Sequence, residues 1–344
     1  MPAPSTSRTT AARKAVAEPA FSWREVARTA MISRALDDVE EATNRNKAGV
    51  PREHLVLYQF SARGHDMAQA ILGSLLTGAR DAAGAYYRSR PLLISLGLPL
   101  ADALGSPLGR AGGFSNGRDI GVVCNLPRPD GPVVLPMSGD VGSQYTPAAG
   151  WAQAVTYHHD VLGDESWHGA MSVVLGGDGS VATNGFWSAL TMATTLSLPV
   201  LFYIEDNGLG ISVSGEMQTP GGNIATNLAG FSNLFVRDGD GSDPVAAAHL
   251  LAECVTHVRR GAGPALVDYL GLPITDGART WALAWNASRL TVPEHQCQVH
   301  VAPYIYRGPL NLRIWEVKDE QSQRVIAIRQ YISTYEQNRT IWMD

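Results

Sequence analysis

Met171-Ser172-Val173-Val174-Leu175-Gly176-Gly177-Asp178-Gly179-Ser180 is an apolar run that ends in a glycine-rich turn with one carboxylate. A second apolar run, residues 199–204, follows after a gap of helical length and ends in Glu205-Asp206-Asn207-Gly208. Both runs are continuous and rich in β-branched residues, which is typical of strands buried on both faces of a parallel sheet. The residues that recur at helical spacing between them are Phe186, Leu190, Ala193 and Ser197. The sequence therefore predicts a strand–helix–strand unit in an α/β fold.

The two predicted strands should end at the same edge of the sheet, because strand–helix–strand connections are right-handed crossovers between parallel strands. Open α/β folds bind ligands beyond that edge. The geometry brings the carboxylate of Asp178 near the carboxamide of Asn207, and such hard oxygen ligands suit Mg²⁺ together with phosphate oxygens. Glycines beside them let backbone amides approach a phosphate. We therefore predict a phosphate-and-metal site at this edge.

The glycine-rich turn has two other interpretations. A single Gly-Asp-Gly is common in ordinary turns, and only its position between a strand and a helix favours a ligand site. A dinucleotide site of the Rossmann type would require Gly-x-Gly-x-x-Gly directly after a strand. No segment has that form, and Gly109-Arg110-Ala111-Gly112-Gly113 does not fit it.

Composition excludes several classes of protein. The chain has 344 residues, a net charge of −5 and scattered basic residues, which gives no support to nucleic-acid binding. No apolar run is long enough to span a bilayer. Cys124, Cys254 and Cys297 are far apart, which favours reduced thiols over a disulfide framework or a zinc site. The pair His158-His159 is interpreted as the end of a surface helix, since adjacent side chains rarely converge on one ion.

Three segments are predicted along the chain. Residues 1–20 have the composition of a transit peptide or of a disordered arm, and we favour the arm. Residues 21–268 form one α/β domain that a helix over residues 23–46 opens. Residues 269–344 are a separate C-terminal segment, in which the spacing of Val325, Ile328, Ile332 and Tyr335 predicts a helix. A cytoplasmic, bacterial-type protein is expected, and a mitochondrial matrix protein is the alternative if the arm is a transit peptide.

Several further motifs occur in a fixed order between residues 30 and 268. They are residues 63–70, residues 86–90, residues 137–144, residues 177–180, Asn207, residues 219–225, residues 236–240 and residues 259–267. This order resembles the α subunit, or α half, of the thiamine diphosphate-dependent E1 component of 2-oxo acid dehydrogenase complexes, in the branched-chain, pyruvate and acetoin group. The resemblance implies the thiamine diphosphate-binding fold, a mostly parallel sheet with helices on both faces.

The resemblance also implies a set of cofactor-binding residues. Asp178, Asn207 and the backbone carbonyl of Leu209 match the family's Mg²⁺ ligands. Thiamine diphosphate would be contacted by Tyr87, Arg88, Ser138, Val141, Gln144, Gly177, Asp178, Gly179, Ser180, Asn207 and Leu209. Tyr87 and Arg88 match a diphosphate clamp, for which arginine is suited by its bidentate geometry. Asp140 stands where the family usually has proline.

The implied reaction is oxidative decarboxylation of a 2-oxo acid with acyl transfer to a lipoyl carrier. The hard chemistry belongs to the cofactor. The resemblance implies an E1 β subunit that supplies the activating glutamate, an α₂β₂ assembly and a lipoyl-bearing E2 acyltransferase. The substrate could be any of several 2-oxo acids.

One part of the family's pattern is missing. Relatives carry an active-site histidine loop after the strand at residues 264–268, whereas no histidine occurs here between His257 and His295. His65 is the remaining candidate catalytic residue, although a histidine at a helix start is as often structural. The alternatives are a divergent enzyme subunit, a truncated or frame-altered chain, or a non-catalytic paralogue that acts only as an assembly partner. An NAD-dependent oxidoreductase is disfavoured by the absent fingerprint.

Overall fold

A computed structural model describes residues 21–43, 56, 59–124, 126–128, 130–210 and 213–270, together with strand backbones at 297–307, 311–319, 325–332 and 339–342. The predicted arm at residues 1–20 lies outside the described residues. The helices are α1 Trp23–Ala42, α2 Asp66–Leu75, α3 Arg90–Ser95, α4 Leu100–Gly105, α5 Tyr145–Thr156, α6 Asn184–Leu196, α7 Gly215–Gln218, α8 Ile224–Leu228 and α9 Pro244–Arg259. The strands are β1 Ala82–Gly84, β2 Val133–Val134, β3 Ser172–Gly177, β4 Val200–Asp206, β5 Leu209–Gly210, β6 Val213–Ser214, β7 Phe235–Asp240, β8 Ala265–Leu270, β9 Cys297–Arg307, β10 Asn311–Asp319, β11 Val325–Ile332 and β12 Arg339–Trp342.

A six-stranded parallel sheet forms the centre of the fold, with strand order β2-β1-β3-β4-β8-β7. The predicted strand–helix–strand unit is confirmed as β3, α6 and β4, with β3 and β4 paired side by side. In that pair Gly177 lies opposite Glu205, so the turn after β3 and the turn after β4 begin at the same edge.

Helices cover both faces of the sheet, as predicted. Alternate side chains of β4 point to opposite faces: Leu201 and Tyr203 pack in one apolar cluster, and Val200, Phe202 and Ile204 pack in the other. The first cluster contains side chains of α2 and α9, and the second contains those of α5 and α6. Burial on both faces explains why the strand sequence is continuously apolar.

Local signals in the sequence set the ends of α6. The hydroxyl of Thr183 accepts a hydrogen bond from the backbone N–H of Phe186 at 3.3 Å, which caps the first turn. Ser197 ends the helix in the left-handed conformation, with φ of 54°. Phe186, Leu190 and Ala193 are fully buried, as their spacing predicted, whereas Ser197 lies outside the apolar face.

The helix predicted in the C-terminal segment is wrong. Residues 325–332 form strand β11, which pairs antiparallel with β10 and β12 in a four-stranded sheet ordered β12-β11-β10-β9. The segment is rich in β-branched and aromatic residues, which favour strands over helices once a pairing partner is present. Tyr335, the fourth member of the predicted helical face, lies outside the described residues. Among the described helices, none is long and apolar enough to cross a membrane.

A buried ion cluster fastens α1 to the segment that begins α3. Arg90 donates to the carboxylate of Asp37 at 2.9 Å and to that of Glu40, and both acids are almost completely buried. The hydroxyl of Ser61 donates to the second oxygen of Asp37 at 2.6 Å. Burial raises the pKa of Asp37 and raises that of Glu40 to about 7, while Arg90 opposes both shifts. Arg90 therefore stabilises the charged forms of these two buried carboxylates.

We expect Arg90→Met to lower the free energy of unfolding by about 3 kcal/mol at pH 8, because removing one partner leaves buried charge uncompensated. A carboxyl whose pKa is raised on folding takes up a proton when the chain folds, so the folded state gains stability as the pH falls. The difference between variant and wild type should therefore shrink between pH 8 and pH 5, as Asp37 and Glu40 become protonated. Urea denaturation at several pH values measures it.

The matched control for this measurement is Arg28→Met. Arg28 pairs with Glu25 at 3.5 Å on the exposed surface of α1, so its loss should change the free energy of unfolding by no more than about 0.5 kcal/mol. An Arg90→Met penalty of equal size at pH 8 and pH 5 would contradict the assignment.

Candidate functional site

A cavity of about 210 Å³ lies at the carboxyl edge of the parallel sheet. Its lining comes from four separate parts of the chain: Tyr86, Tyr87, Ser138, Asp140, Val141, Gln144, Gly177, Asp178, Gly179, Ser180, Gly210 and Gln218. Most of the predicted cofactor-binding residues are therefore brought together, although they are spread over 94 positions from Tyr87 to Ser180. Of the predicted site residues, Arg88, Asn207, Leu209 and His65 are not part of the lining.

The turn after β3 is packed against a tyrosine. Asp178 is 3% exposed and starts a short 3₁₀ turn over Asp178–Ala182. Ser180 Oγ donates to the carbonyl of Gly177 at 2.5 Å and lies 2.6 Å from the hydroxyl of Tyr145. A Cβ at Gly176 would lie 2.0 Å from that hydroxyl, so only glycine fits. These contacts hold the backbone of the turn, and with it the carboxylate of Asp178, at the edge of the cavity.

The turn after β4 carries Asn207 at the same edge of the sheet. The register pairs Gly177 with Glu205, so Asp178 and Asn207 follow on strands about 4.8 Å apart. Asn207 is 7% exposed, and its Oδ1 accepts a hydrogen bond from the backbone N–H of Leu209 at 3.1 Å. A carboxamide oxygen has a second lone pair, which stays available to a cation. Carboxylate, carboxamide and backbone carbonyl oxygens are the ligand types that Mg²⁺ accepts in proteins.

Negative charge accumulates at this edge. Asp268, on β8, is buried, and desolvation raises its pKa to about 7, with Asp206 and Asp178 adding to the shift. Its Oδ2 accepts the backbone N–H of Ala225 at 3.1 Å. Burial likewise raises the pKa of Asp206. Burial and mutual repulsion therefore disfavour the ionised forms of the acids at this edge.

Arg88 lies inside the protein rather than on a solvated loop. It is 5% exposed, and its Nη1 donates to the carbonyl of Ser61 at 3.0 Å. Its guanidinium carbon is 5.3 Å from the centre of the Tyr87 ring, which itself lines the cavity. Tyr87 also packs against Phe60, with ring centres 4.5 Å apart. Tyr87 therefore forms part of the cavity wall, and the buried Arg88 packs against its ring.

A buried glutamate that the sequence did not single out supports this wall. Glu205, at the end of β4, accepts hydrogen bonds from the hydroxyl of Tyr86 and from Gln69 Nε2, the latter at 2.6 Å. The same Nε2 donates to the carbonyl of Arg88 at 3.1 Å. Desolvation raises the pKa of Glu205 to about 7, and these two hydrogen bonds oppose that shift. The motif at residues 63–70 contained Gln69, but nothing in the sequence paired it with Glu205.

The loop over residues 138–144 closes on itself beside the cavity. Ser138 Oγ donates to Ser143 Oγ at 2.9 Å and accepts the backbone N–H of Asp140 at 3.1 Å. Val141 is 55% exposed, so its side chain stands at the cavity mouth. Gln144 is buried, and its Nε2 donates to the carbonyl of Leu175 at 2.8 Å. The Gln144 amide thus ties this loop to β3.

His65 lies away from the cavity lining. It is fully buried immediately before α2, and its carbonyl accepts the backbone N–H of Gln69 at 3.0 Å. This placement is that of a structural residue at a helix start, so a catalytic role for His65 stays a prediction. The lining residues that were not in the predicted cofactor-binding set are Tyr86, Asp140, Gly210 and Gln218. The sequence marked Asp140 only as a residue in place of the family's usual proline. Tyr86 adjoins the predicted Tyr87, whereas Gly210 and Gln218 carried no signal.

Comparison with known sequences agrees with the motifs. Residues 28–273 match the family model described as dehydrogenase E1 component. The α subunit of 3-methyl-2-oxobutanoate dehydrogenase from Mycobacterium tuberculosis is 31% identical over 133 residues, which cover 39% of this chain and 34% of that protein. The α subunit of 2-oxoisovalerate dehydrogenase from Bacillus subtilis is 25% identical over 253 residues, which cover 72% and 70%. The matched region thus spans about a third of the length of the Mycobacterium tuberculosis protein and 70% of the length of the Bacillus subtilis protein.

Solved structures with the same fold include transketolases. The transketolase from Campylobacter jejuni superposes with a TM-score of 0.50 at 16% identity, covering 75% of this chain and 39% of that one. The transketolase from Leishmania mexicana superposes with a TM-score of 0.52 at 15% identity, covering 74% and 37%. At this identity the likeness shows a shared fold, which confirms the predicted α/β class.

Adjacent glycines in the turn after β3 allow a paired test of its packing. Gly176→Ala should lower the free energy of unfolding by about 1–3 kcal/mol, because the added methyl overlaps the buried Tyr145 hydroxyl and Ser180 Oγ. Gly177→Ala should change it by less than about 0.5 kcal/mol, since its nearest neighbour would be the Glu205 carbonyl at 3.8 Å and its φ of −81° suits alanine. Urea denaturation measures both, and equal penalties would contradict the packing described.

Proposed function

The chain belongs to the dehydrogenase E1 component family, and from that premise we propose that it is an E1 α subunit of a 2-oxo acid dehydrogenase complex. The proposed reaction is oxidative decarboxylation of a 2-oxo acid with acyl transfer to a lipoyl carrier. The observation that carries the proposal is the cavity at the carboxyl edge, where Asp178, Tyr87 and Gln144 meet from distant parts of the chain. The names of the relatives support the subunit type, since those from Mycobacterium tuberculosis and Bacillus subtilis are α subunits.

We propose that the cavity holds thiamine diphosphate through Mg²⁺. Asp178, Asn207 and the Leu209 carbonyl would bind the metal, because they supply the oxygen ligands that Mg²⁺ prefers while leaving positions for phosphate oxygens. The backbone amides of Gly179 and Ser180 would face the diphosphate, as amides at the start of a turn do in many anion sites. A Cβ at Gly179 would lie 3.0 Å from Gln218 Oε1, so the bare glycine keeps this side of the cavity open.

Other residues of the site have roles in orientation and in exclusion of water. Tyr87 and Arg88 would secure the diphosphate end, and the Glu205 network keeps their backbone in place. Ser138, Val141 and Gln144 would form the wall beside the aminopyrimidine ring, with the Val141 backbone as a hydrogen-bond partner. When bound, the cofactor supplies the electron sink for loss of carbon dioxide. This chain's residues bind and orient it.

The proposed partners are an E1 β subunit, in an α₂β₂ assembly, and a lipoyl-bearing E2 acyltransferase. The support is the family itself and the designation of the relatives as α subunits. The β subunit would supply the acid group that activates the cofactor and part of the acyl pocket. The 2-oxo acid is left open, because the relatives include both 2-oxoisovalerate and pyruvate dehydrogenase subunits.

A non-catalytic subunit is the second candidate function. The family match ends at residue 273, and no histidine lies between His257 and His295, where the family's active-site loop is expected. Such a chain would keep the fold and the cofactor site and act as an assembly partner.

Asp178→Ala should weaken Mg²⁺-dependent binding of thiamine diphosphate by more than about 100-fold, beyond the loss usual for residues that only support a metal ligand. Isothermal titration calorimetry with Mg²⁺ and with EDTA measures this. The control is Asp140→Asn, which removes an exposed carboxylate of the same cavity that is outside the proposed ligand set. Its affinity should equal or exceed that of the wild type, because the ligand is an anion. Unchanged affinity in Asp178→Ala would refute the metal assignment.

The two candidate functions differ in turnover. After co-expression with an E1 β subunit, we expect dye reduction that depends on a 2-oxo acid, on thiamine diphosphate and on Mg²⁺. Pyruvate and the branched-chain 2-oxo acids are to be tested in parallel. A stable complex that binds the cofactor but reduces no dye with any of these acids would favour the non-catalytic subunit.

A further inference from the structure

A second cavity, of about 460 Å³, lies at the opposite edge of the parallel sheet. Its lining includes Ala170 and Pro199, which come just before β3 and β4, so it is at the amino ends of the strands. His159 and His168 line the same cavity. The cofactor cavity described above has none of these residues in its lining.

Three potential metal ligands lie close together here, and two of them, His159 and His168, line the second cavity. His159, Glu165 and His168 each have one ligand atom within 4.8 Å of the others. His168 Nδ1 lies 3.3 Å from His159 Nε2. The chain reaches this arrangement by a π-helical turn at Tyr157–Val161 and a 3₁₀ turn at Glu165–Trp167, which fold the segment between α5 and β3 back on itself.

The separation of the two imidazole nitrogens fits a shared metal ion. The 3.3 Å between His168 Nδ1 and His159 Nε2 is at the long end of hydrogen-bond distances. Two nitrogens bound to one tetrahedral Zn²⁺ at about 2.0–2.1 Å are about 3.3–3.4 Å apart. Glu165 is exposed, so rotation of its side chain can shorten its distance to the two nitrogens.

A carboxylate orients one of the ligands. Asp160 Oδ1 lies 2.6 Å from His159 Nδ1, which assigns the ring proton to Nδ1 and directs the lone pair of Nε2 toward His168. A carboxylate on the far nitrogen of a histidine is the usual support of a metal-bound imidazole, because it fixes the tautomer and raises the basicity of the ligand. The cluster therefore contains three potential ligands and, in Asp160, a carboxylate that supports one of them.

The segment that carries these ligands is held from three sides. Asp164 Oδ1 accepts the backbone N–H of Ser166 at 3.0 Å. Trp167 is buried and stacks on His158, with ring centres 4.4 Å apart. Arg259 donates to the carbonyl of Gly169 at 2.8 Å, next to His168. The charge of Arg259 is offset by the buried carboxylate of Asp81, at 2.6 Å, so it adds little repulsion toward a cation.

We propose that His159, Glu165 and His168 bind a divalent transition-metal ion, Zn²⁺, with Asp160 supporting His159. Three protein ligands leave a fourth position, which a water molecule would fill on the cavity side. Zinc bound here would join the turn after α5 to the segment before β3, and it would act independently of the cofactor cavity at the other edge.

The test measures Zn²⁺ binding to the full chain by competition with a chromophoric chelator. We expect one zinc site per chain that is weakened more than tenfold in His159→Ala, His168→Ala and Glu165→Gln, and 10–100-fold in Asp160→Asn. Co²⁺ substitution should give the strong visible absorption of a tetrahedral site in the wild type, and this absorption should be lost in the histidine variants. Circular dichroism establishes that each variant is folded.

Two controls separate this site from other metal binding. His249→Gln removes an exposed histidine on α9, and Asp178→Ala removes the proposed magnesium ligand; both should keep wild-type zinc affinity. Equal zinc affinity and stoichiometry in folded His159→Ala and His168→Ala would overturn the proposal and leave a hydrogen-bonded histidine pair. A loss of affinity in Asp178→Ala alone would also overturn it, by assigning the zinc to the cofactor edge.

Discussion

The parallel pairing of β3 with β4, buried on both faces, is the constraint on which the candidate site depends. Because Gly177 pairs with Glu205, strands β3 and β4 end at the same edge of the sheet. Asp178 follows β3 there, and Asn207 follows β4. Because apolar clusters cover the sheet on either side, a slip in register would draw a polar turn residue into the core at one end of a strand. The hydrophobic core therefore sets the position of the polar turns.

Polar groups at the same edge follow from that arrangement. Glu205 lies one residue before the end of β4 and is fully buried. Its carboxylate therefore needs hydrogen-bond partners, which are the hydroxyl of Tyr86 and the amide of Gln69. Gln69 also donates to the backbone carbonyl of Arg88. The guanidinium of Arg88 packs over the ring of Tyr87, which lines the cavity. The accumulation of buried carboxylates, with a raised pKa at Asp268, belongs to the same edge.

The sequence was informative where one short segment contained the whole signal. The turn at residues 177–180 combined strand, glycine and carboxylate, and Asn207 followed the next strand, so both could be predicted. The network of Glu205 could not, because its partners are 119 and 136 positions away and an isolated glutamate has no pattern. The C-terminal helix prediction failed for a related reason: spacing alone cannot reveal that β10 and β12 offer pairing partners to residues 325–332. The interpretation of His158-His159 considered only adjacent residues, whereas His159 meets His168, nine positions later.

By itself, the sequence determined the α/β class, the family, the strand–helix–strand unit and the residue types at the carboxyl edge of the sheet. These follow from hydrophobic period and from turn chemistry, which act over a few residues. Only the tertiary structure decided that Arg88 is buried, that His65 lies away from the cavity and that Glu205 supports the wall. Only the tertiary structure brought His159, Glu165 and His168 together at the opposite edge. The physical reason is the same in each case: burial and the meeting of side chains depend on how elements pack, and packing joins residues that the sequence keeps apart.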